Sequence, residues 1–259
     1  MKYFVVDVFT EQHYCGNPAG VCILEQWPED EVMQKIAFEN NLAETAFVTK
    51  TEEHYELRWF TPEVEIDLCG HGTLGTAYVL MNYVDTSLTE AEFHTKSGIL
   101  LVSRKGDLFT MDFPTRRPAP CKMPELLEQA LGVKVLESHC ARDLMAVIEN
   151  EAALVQLKPD FALLKQIDQY FGFIVTAKGE SADFVSRFFV PNAGINEDPV
   201  TGSSHTTLIP YWSNRLNKKI MTARQLSARG GELLCEDKGD RVFISGKAVT
   251  HLIGEIYLK

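Results

Sequence analysis

The chain has 259 residues, enough for one large domain or two ordinary ones, with 45% hydrophobic and 24% charged residues, a balance that lets a core form without staples. Its formal net charge of −11, from 25 basic and 36 acidic residues, argues against nucleic acid or an anionic membrane as partner, because both select clustered Lys and Arg. No apolar stretch approaches a membrane span, and the short run Phe4–Phe9 lacks the plan of a signal peptide.

In chain order, residues 2–9 and 20–24 read as strands joined by the turn-forming Gly16-Asn17-Pro18. Pro28 to Asn41 reads as a helix with an apolar stripe of Val32, Met33, Ile36 and Ala37. Strands are expected at 43–48 and 55–60, and then a helix from Thr73 to Tyr83, apolar on most sides. Two strand patterns follow at 91–103 and 107–113. The stretch Phe113–Pro124 carries four prolines and resists regular structure, so it marks a boundary. The expected lobes are residues 1–114 and 115–259, with the last strand free to return to the first lobe. Beyond the boundary come a helix closed by Gly132, strands at 144–149 and 171–177 around a helix near 159–168, and a strand at 182–190. A helix from Ser203 to about Asn214 should kink or end early at Pro210, and the chain finishes strand-like from Arg224.

A segment occurs twice. Arg58-Trp59-Phe60-Thr61-Pro62, then Ile66, matches Arg187-Phe188-Phe189-Val190-Pro191, then Ile195, at a constant offset. One inserted residue then aligns Gly72-Thr73 with Gly202-Ser203. The duplication predicts an α+β fold of two pseudo-symmetric lobes, each a curved sheet or barrel around a central apolar helix. Were the lobes to face each other, two helix N-termini would offer backbone N–H groups to a small carboxylate.

Four residues carry candidate chemistry. Glu44, among Leu42, Ala43, Ala46 and Phe47, is either a partly desolvated proton carrier or an edge glutamate facing water. His71, between Gly70 and Gly72, either relays a proton or caps its helix, and the helix dipole favours a neutral ring. Asp198 precedes Pro199 and either fixes a turn or meets substrate. Thr73 and Ser203 suit N-caps. Cys69 could be an activated thiol, but its aligned counterpart is Pro199, so a two-thiol racemase is disfavoured. The six cysteines form no Cys-x-x-Cys pair and the seven histidines no ligand spacing, which predicts no metal, free thiols and a cytoplasmic setting. A phosphate-loop lysine, a dinucleotide fingerprint and a serine elbow are all missing.

The motifs Asp7-Val8-Phe9 with Gly16-Asn17-Pro18-Ala19-Gly20, Asn41-Leu42-Ala43-Glu44-Thr45-Ala46-Phe47, Leu68-Cys69-Gly70-His71-Gly72-Thr73 and Asn196 through His205 together resemble the PhzF-like isomerases of phenazine biosynthesis. The resemblance spans essentially the whole chain. It implies a diaminopimelate-epimerase-like fold, no cofactor and a homodimer. It places the catalytic glutamate on Glu44 and the substrate-polarising histidine and aspartate on His71 and Asp198. Carboxylate-holding amides fall on Gly70, His71 and Gly72 in one lobe and on Gly202 and Ser203 in the other. The family's named reaction isomerises trans-2,3-dihydro-3-hydroxyanthranilate. The expected function is a proton shift within a small unsaturated carboxylic acid. An amino- or hydroxy-acid epimerase and a non-catalytic carboxylate-binding protein are the alternatives.

Overall fold

A computed structural model describes residues 1–258. The chain divides into two compact units, Met1–Asp112 together with the residues from Ser245 onward, and Phe113–Ile244. Among the described residues no helix is long and apolar enough to cross a membrane.

The first unit is a curved sheet around one helix. Strand β1 (Lys2–Val8) pairs antiparallel with β2 (Asn17–Leu24) on one side and with a closing strand, Ala248–Glu255, on the other. Helix α1 (Asp30–Asn40) makes the crossover that lets β2 lie parallel to β3 (Glu44–Lys50). β3 pairs antiparallel with β4 (Tyr55–Phe60), which takes the short β5 (Glu65–Ile66) as a hairpin partner. Helix α2 (Gly70–Val79) follows and packs against β1, β2 and β3, with every residue from His71 to Ala77 buried. Strand β6 (Glu90–Thr95) then lies parallel to β4 and turns into β7 (Gly98–Lys105), which pairs with β8 (Leu108–Pro114). The single strand pattern read at 91–103 is therefore a hairpin, turning at Lys96-Ser97. On the outer face Met33 and Ala37 of α1 pack with Cys22, Leu24, Phe47 and Phe60.

The second unit repeats the plan. After β9 (Ala119–Pro120) and α3 (Leu127–Leu131), β10 (Glu137–Cys140) pairs antiparallel with β11 (Leu144–Val147). Short helices α4 (Glu151–Gln156) and α5 (Phe161–Leu164) make the crossover to β12 (Phe173–Lys178), parallel to β11. β12 pairs antiparallel with β13 (Phe184–Val190), which takes β14 (Ile195–Asp198) as its hairpin partner. Helix α6 (Gly202–Leu216) follows, then β15 (Ile220–Gln225) parallel to β13, β16 (Gly231–Asp237) and β17 (Arg241–Gly246). The order β1-β2-β3-β4-β6-β7 thus recurs as β10-β11-β12-β13-β15-β16, with the same parallel and antiparallel steps.

The duplicated arginine has one task in both units. Arg58 bonds Glu65 through Nε–Oε1 at 2.7 Å and Nη2–Oε2 at 2.8 Å, and Arg187 bonds Glu197 through the same atoms at 2.7 and 2.8 Å. This planar two-pronged pair ties each strand to its hairpin partner. Against one of the two sequence expectations, Pro210 does not end α6 early, the helix running on to Leu216. The carbonyl it leaves unpaired, Thr206 O, accepts the backbone N–H of Arg116 at 3.0 Å.

Candidate active site

In the first unit Glu44 opens β3 and His71 is the second residue of α2. Glu44 Oε2 lies 3.0 Å from His71 Nε2, with side-chain exposures of 15% and 7%. That carboxylate oxygen is buried and has no well-aligned hydrogen-bond donor. The other ring nitrogen, Nδ1, faces Asn17 Nδ2 at 3.2 Å and Cys69 Sγ at 3.6 Å. Cys69, not Thr73, is the N-cap: its sulfur accepts from Gly72 N at 3.3 Å, while Thr73 Oγ1 donates back to Cys69 O at 2.6 Å. The first two amides of α2, Gly70 and His71, precede any intrahelical bond.

Burial pushes the Cys69 thiol up, and the Glu44 charge pushes it further, so the sulfur stays protonated at neutral pH. For His71, burial opposes a charge, while the Cys69 sulfur and the Glu44 carboxylate favour one and outweigh it. The sulfur's share needs a thiolate, which leaves Glu44 as the neighbour that counts. The carboxylate therefore pulls against the helix terminus, which by itself favours a neutral ring.

In the second unit Asp198 ends β14 and its carboxylate accepts from Thr201 Oγ1. Gln225, fully buried, clamps this turn: its Nε2 donates to Asp198 O at 2.8 Å and its Oε1 accepts from Thr201 N at 2.9 Å. Thr201, not Ser203, stands at the N-cap of α6, and no side chain caps that helix. Ser203 Oγ instead accepts from Arg142 Nη2 at 3.3 Å. His205, buried, donates Nδ1–H to Thr201 O at 2.7 Å, and burial lowers its pKa to about 4.

Strand register corrects the internal alignment. Trp59 pairs with Ile66 and Phe60 with Glu65, while Phe188 pairs with Asp198 and Phe189 with Glu197. Asp198 thus corresponds to Ile66, Gly202 to Gly70, and Thr201 to Cys69. The longer hairpin turn of the second unit, with its 3-10 turn Pro191–Ala193, had shifted the sequence match. Cys69 still has no thiol counterpart. By the same register Thr45 and Phe173 correspond, so Glu44 answers to Gly172. A Cβ at Gly172 would lie 2.5 Å from Phe188 Cζ, so the second unit has no room for a side chain there.

Three groups of ligand type, on Glu44, Cys69 and His71, lie within 4.8 Å of one another. The imidazole facing the carboxylate gives an arrangement suited to proton transfer. A cleft of about 820 Å³ in the second unit contains none of these residues. Its charges pair internally, with Arg215 and Tyr211 both bonding Glu137. The sequence reading missed Asn17 and Gln225. Asn17 sits in a Gly-Asn-Pro run that signals a turn, and Gln225 carries no local signal.

This duplicated fold, with its glutamate–histidine pair, matches one family model, described as phenazine biosynthesis-like protein, over residues 6–254, and the chain belongs to that PhzF family. It is 50% identical over 258 residues to a protein of Pseudomonas aeruginosa named an uncharacterized isomerase, covering 100% of this chain and 99% of the relative. A human phenazine biosynthesis-like domain-containing protein is 37% identical, with 99% of each chain covered. The crystal structure of a PhzF-family protein from Enterococcus faecalis superposes with a TM-score of 0.98 at 49% identity, covering 99% of both chains. A proline racemase from Agrobacterium radiobacter, 11% identical with a TM-score of 0.63, shares the fold, which is epimerase-like.

Proposed function

We propose that the chain is a cofactor-independent isomerase that moves a proton within a small unsaturated carboxylic acid. Glu44, as carboxylate, takes a proton from a carbon acidified by an adjacent conjugated system. The carboxylic acid so formed returns the proton elsewhere on the same frame. His71 and Asp198 polarise the substrate's polar substituents. The amides of Gly70 and His71, and those of Gly202 and Ser203, hold the substrate carboxylate, the Gly72 amide being taken by the Cys69 sulfur. General acid–base catalysis by one group contributes roughly 10²–10⁴-fold, so orientation and electrostatics supply the rest.

The observation that supports this reading is the buried Glu44 Oε2, 3.0 Å from His71 Nε2 and without an aligned donor. An oxygen so placed has a position open to receive a proton. Membership of a family whose relatives carry the name isomerase supports it independently. Free cysteines suit a reducing compartment such as the cytoplasm. A homodimer is part of the reading, and sedimentation measures it.

The test uses heavy water and trans-2,3-dihydro-3-hydroxyanthranilate, with cyclic unsaturated carboxylic acids chosen by thermal shift as further probes. The wild type should place deuterium in the carbon framework. Glu44→Gln should stop incorporation while binding persists, and Cys69→Ala should keep most of it. Full turnover by Glu44→Gln would refute the assignment. Equal losses in the two variants would point to the thiol.

A further inference from the structure

Asn17 is the first residue of β2 and is fully buried. Its place is set from both sides. Val8 pairs with it across the β1–β2 ladder. Gly16 before it adopts φ +66°, and a Cβ there would lie 2.2 Å from Val8 O, so the chain can enter β2 this way only through glycine. The preceding loop is pinned by the buried Asp7, whose Oδ2 accepts Tyr14 N at 2.7 Å and meets His251 Nδ1 at 3.0 Å. The side chain of Asn17 therefore arrives at His71 on a rigid support.

An amide nitrogen only donates, so the ring nitrogen 3.2 Å from Asn17 Nδ2 has to accept. A neutral imidazole that accepts at Nδ1 carries its one proton on Nε2, the atom beside Glu44. We propose that Asn17 is a positioning residue of the isomerase, holding His71 in the Nε2–H tautomer, with the ring's one proton on the nitrogen beside the Glu44 carboxylate. This rests on the proposed role of Glu44. The charged and titratable groups facing the ring are Glu44 from β3, Cys69 at the N-cap of α2 and the helix terminus itself. Glu44 favours adding a second proton to the ring, and the Asn17 amide, whose hydrogens occupy the space at Nδ1, opposes it. Without that amide only the weakly donating Cys69 thiol, 3.6 Å away, would hold Nδ1 as an acceptor against a locked imidazolium–carboxylate pair.

The experiment is ¹⁵N NMR of the imidazole nitrogens in the full chain with labelled histidine, the His71 signals being identified by their loss in His71→Gln. It needs no substrate. The wild type should show His71 protonated at Nε2 and bare at Nδ1. Asn17→Asp, which matches the amide in shape but only accepts, should move a proton onto Nδ1 and lower turnover about tenfold or more, with the folding transition retained. A proton on Nδ1 in the wild type overturns the proposal, even if the variant fails to fold. So does an unchanged ring in Asn17→Asp. Glu44→Gln with full turnover would sink the isomerase reading instead, and Asn17 would then have no catalytic group to position.

Discussion

Arg116 supplies the backbone N–H that Pro210 lacks, bonding the Thr206 carbonyl at 3.0 Å. The proline-rich run that opens the second unit thus serves as a brace for that unit's central helix. Arg116→Pro removes this donor and strands a carbonyl in a buried helix, at a cost of about 1–3 kcal/mol. Pro210→Ala should shift stability by less than about 1 kcal/mol, because the carbonyl keeps its partner. Urea titration of both variants measures the contrast.

The paired arginines should differ in weight. Arg187 also donates Nη1 to Leu157 O at 2.9 Å and to Leu154 O at 3.3 Å, which satisfies the end of α4. Arg58 Nη1 instead reaches the exposed Asp30 at 2.8 Å. Arg187→Ala should cost about 3–5 kcal/mol and Arg58→Ala less, since only the former leaves helix carbonyls open as well as a carboxylate. Thermal melts of the two variants would settle the order, and equal losses would contradict it.

His205 gives the fold a pH dependence. Its folded pKa is depressed to about 4 from the ordinary 6.5, so the unfolded chain binds the proton first as pH falls. Stability tied to this residue is complete above about pH 6.5 and declines towards pH 4, by about 3 kcal/mol. His205→Asn keeps a donor for Thr201 O but does not titrate. Its denaturant midpoint should vary less between pH 7 and 4 than that of the wild type, and an identical pH dependence would contradict the assignment.

Gly172→Ala should destabilise the second unit by about 1–3 kcal/mol, because the added carbon meets the Phe188 ring at 2.5 Å. Pairing it with Phe188→Leu should recover part of the loss, which a double-mutant cycle reads directly.

Much of the architecture was legible because apolar residues alternate along the strands and fill every side of α2. The glycine-containing helix starts marked the repeat, yet aligning on glycines put Cys69 opposite Pro199. Only hydrogen-bond register, through Glu65 and Glu197, places it opposite Thr201. The hairpin turn at Lys96-Ser97 was signalled by Gly98 just after it but read through. Strand β10 stayed hidden, because Glu137, Ser138 and His139 are all polar, with Glu137 and His139 meeting Tyr211 and Arg215 rather than a greasy core. Glu44 and His71 were found as residue types in a motif. Their 3.0 Å contact and the part played by Asn17 depend on how β2, β3 and α2 meet, which no local pattern encodes.

The closing strand Ala248–Glu255 lies along β1, so a segment made well over 200 residues later completes the sheet begun by Lys2–Val8. During translation the middle of the chain, Phe113–Ile244, has all its strands before the amino-terminal unit has its own. The outer rim of β1 stays bare until Phe113–Ile244 and then Ala248–Glu255 have been made, an invitation to stray pairing over that interval. A chain stopped after Gly246 should therefore lose protease resistance in its amino-terminal unit while Phe113–Ile244 keeps it.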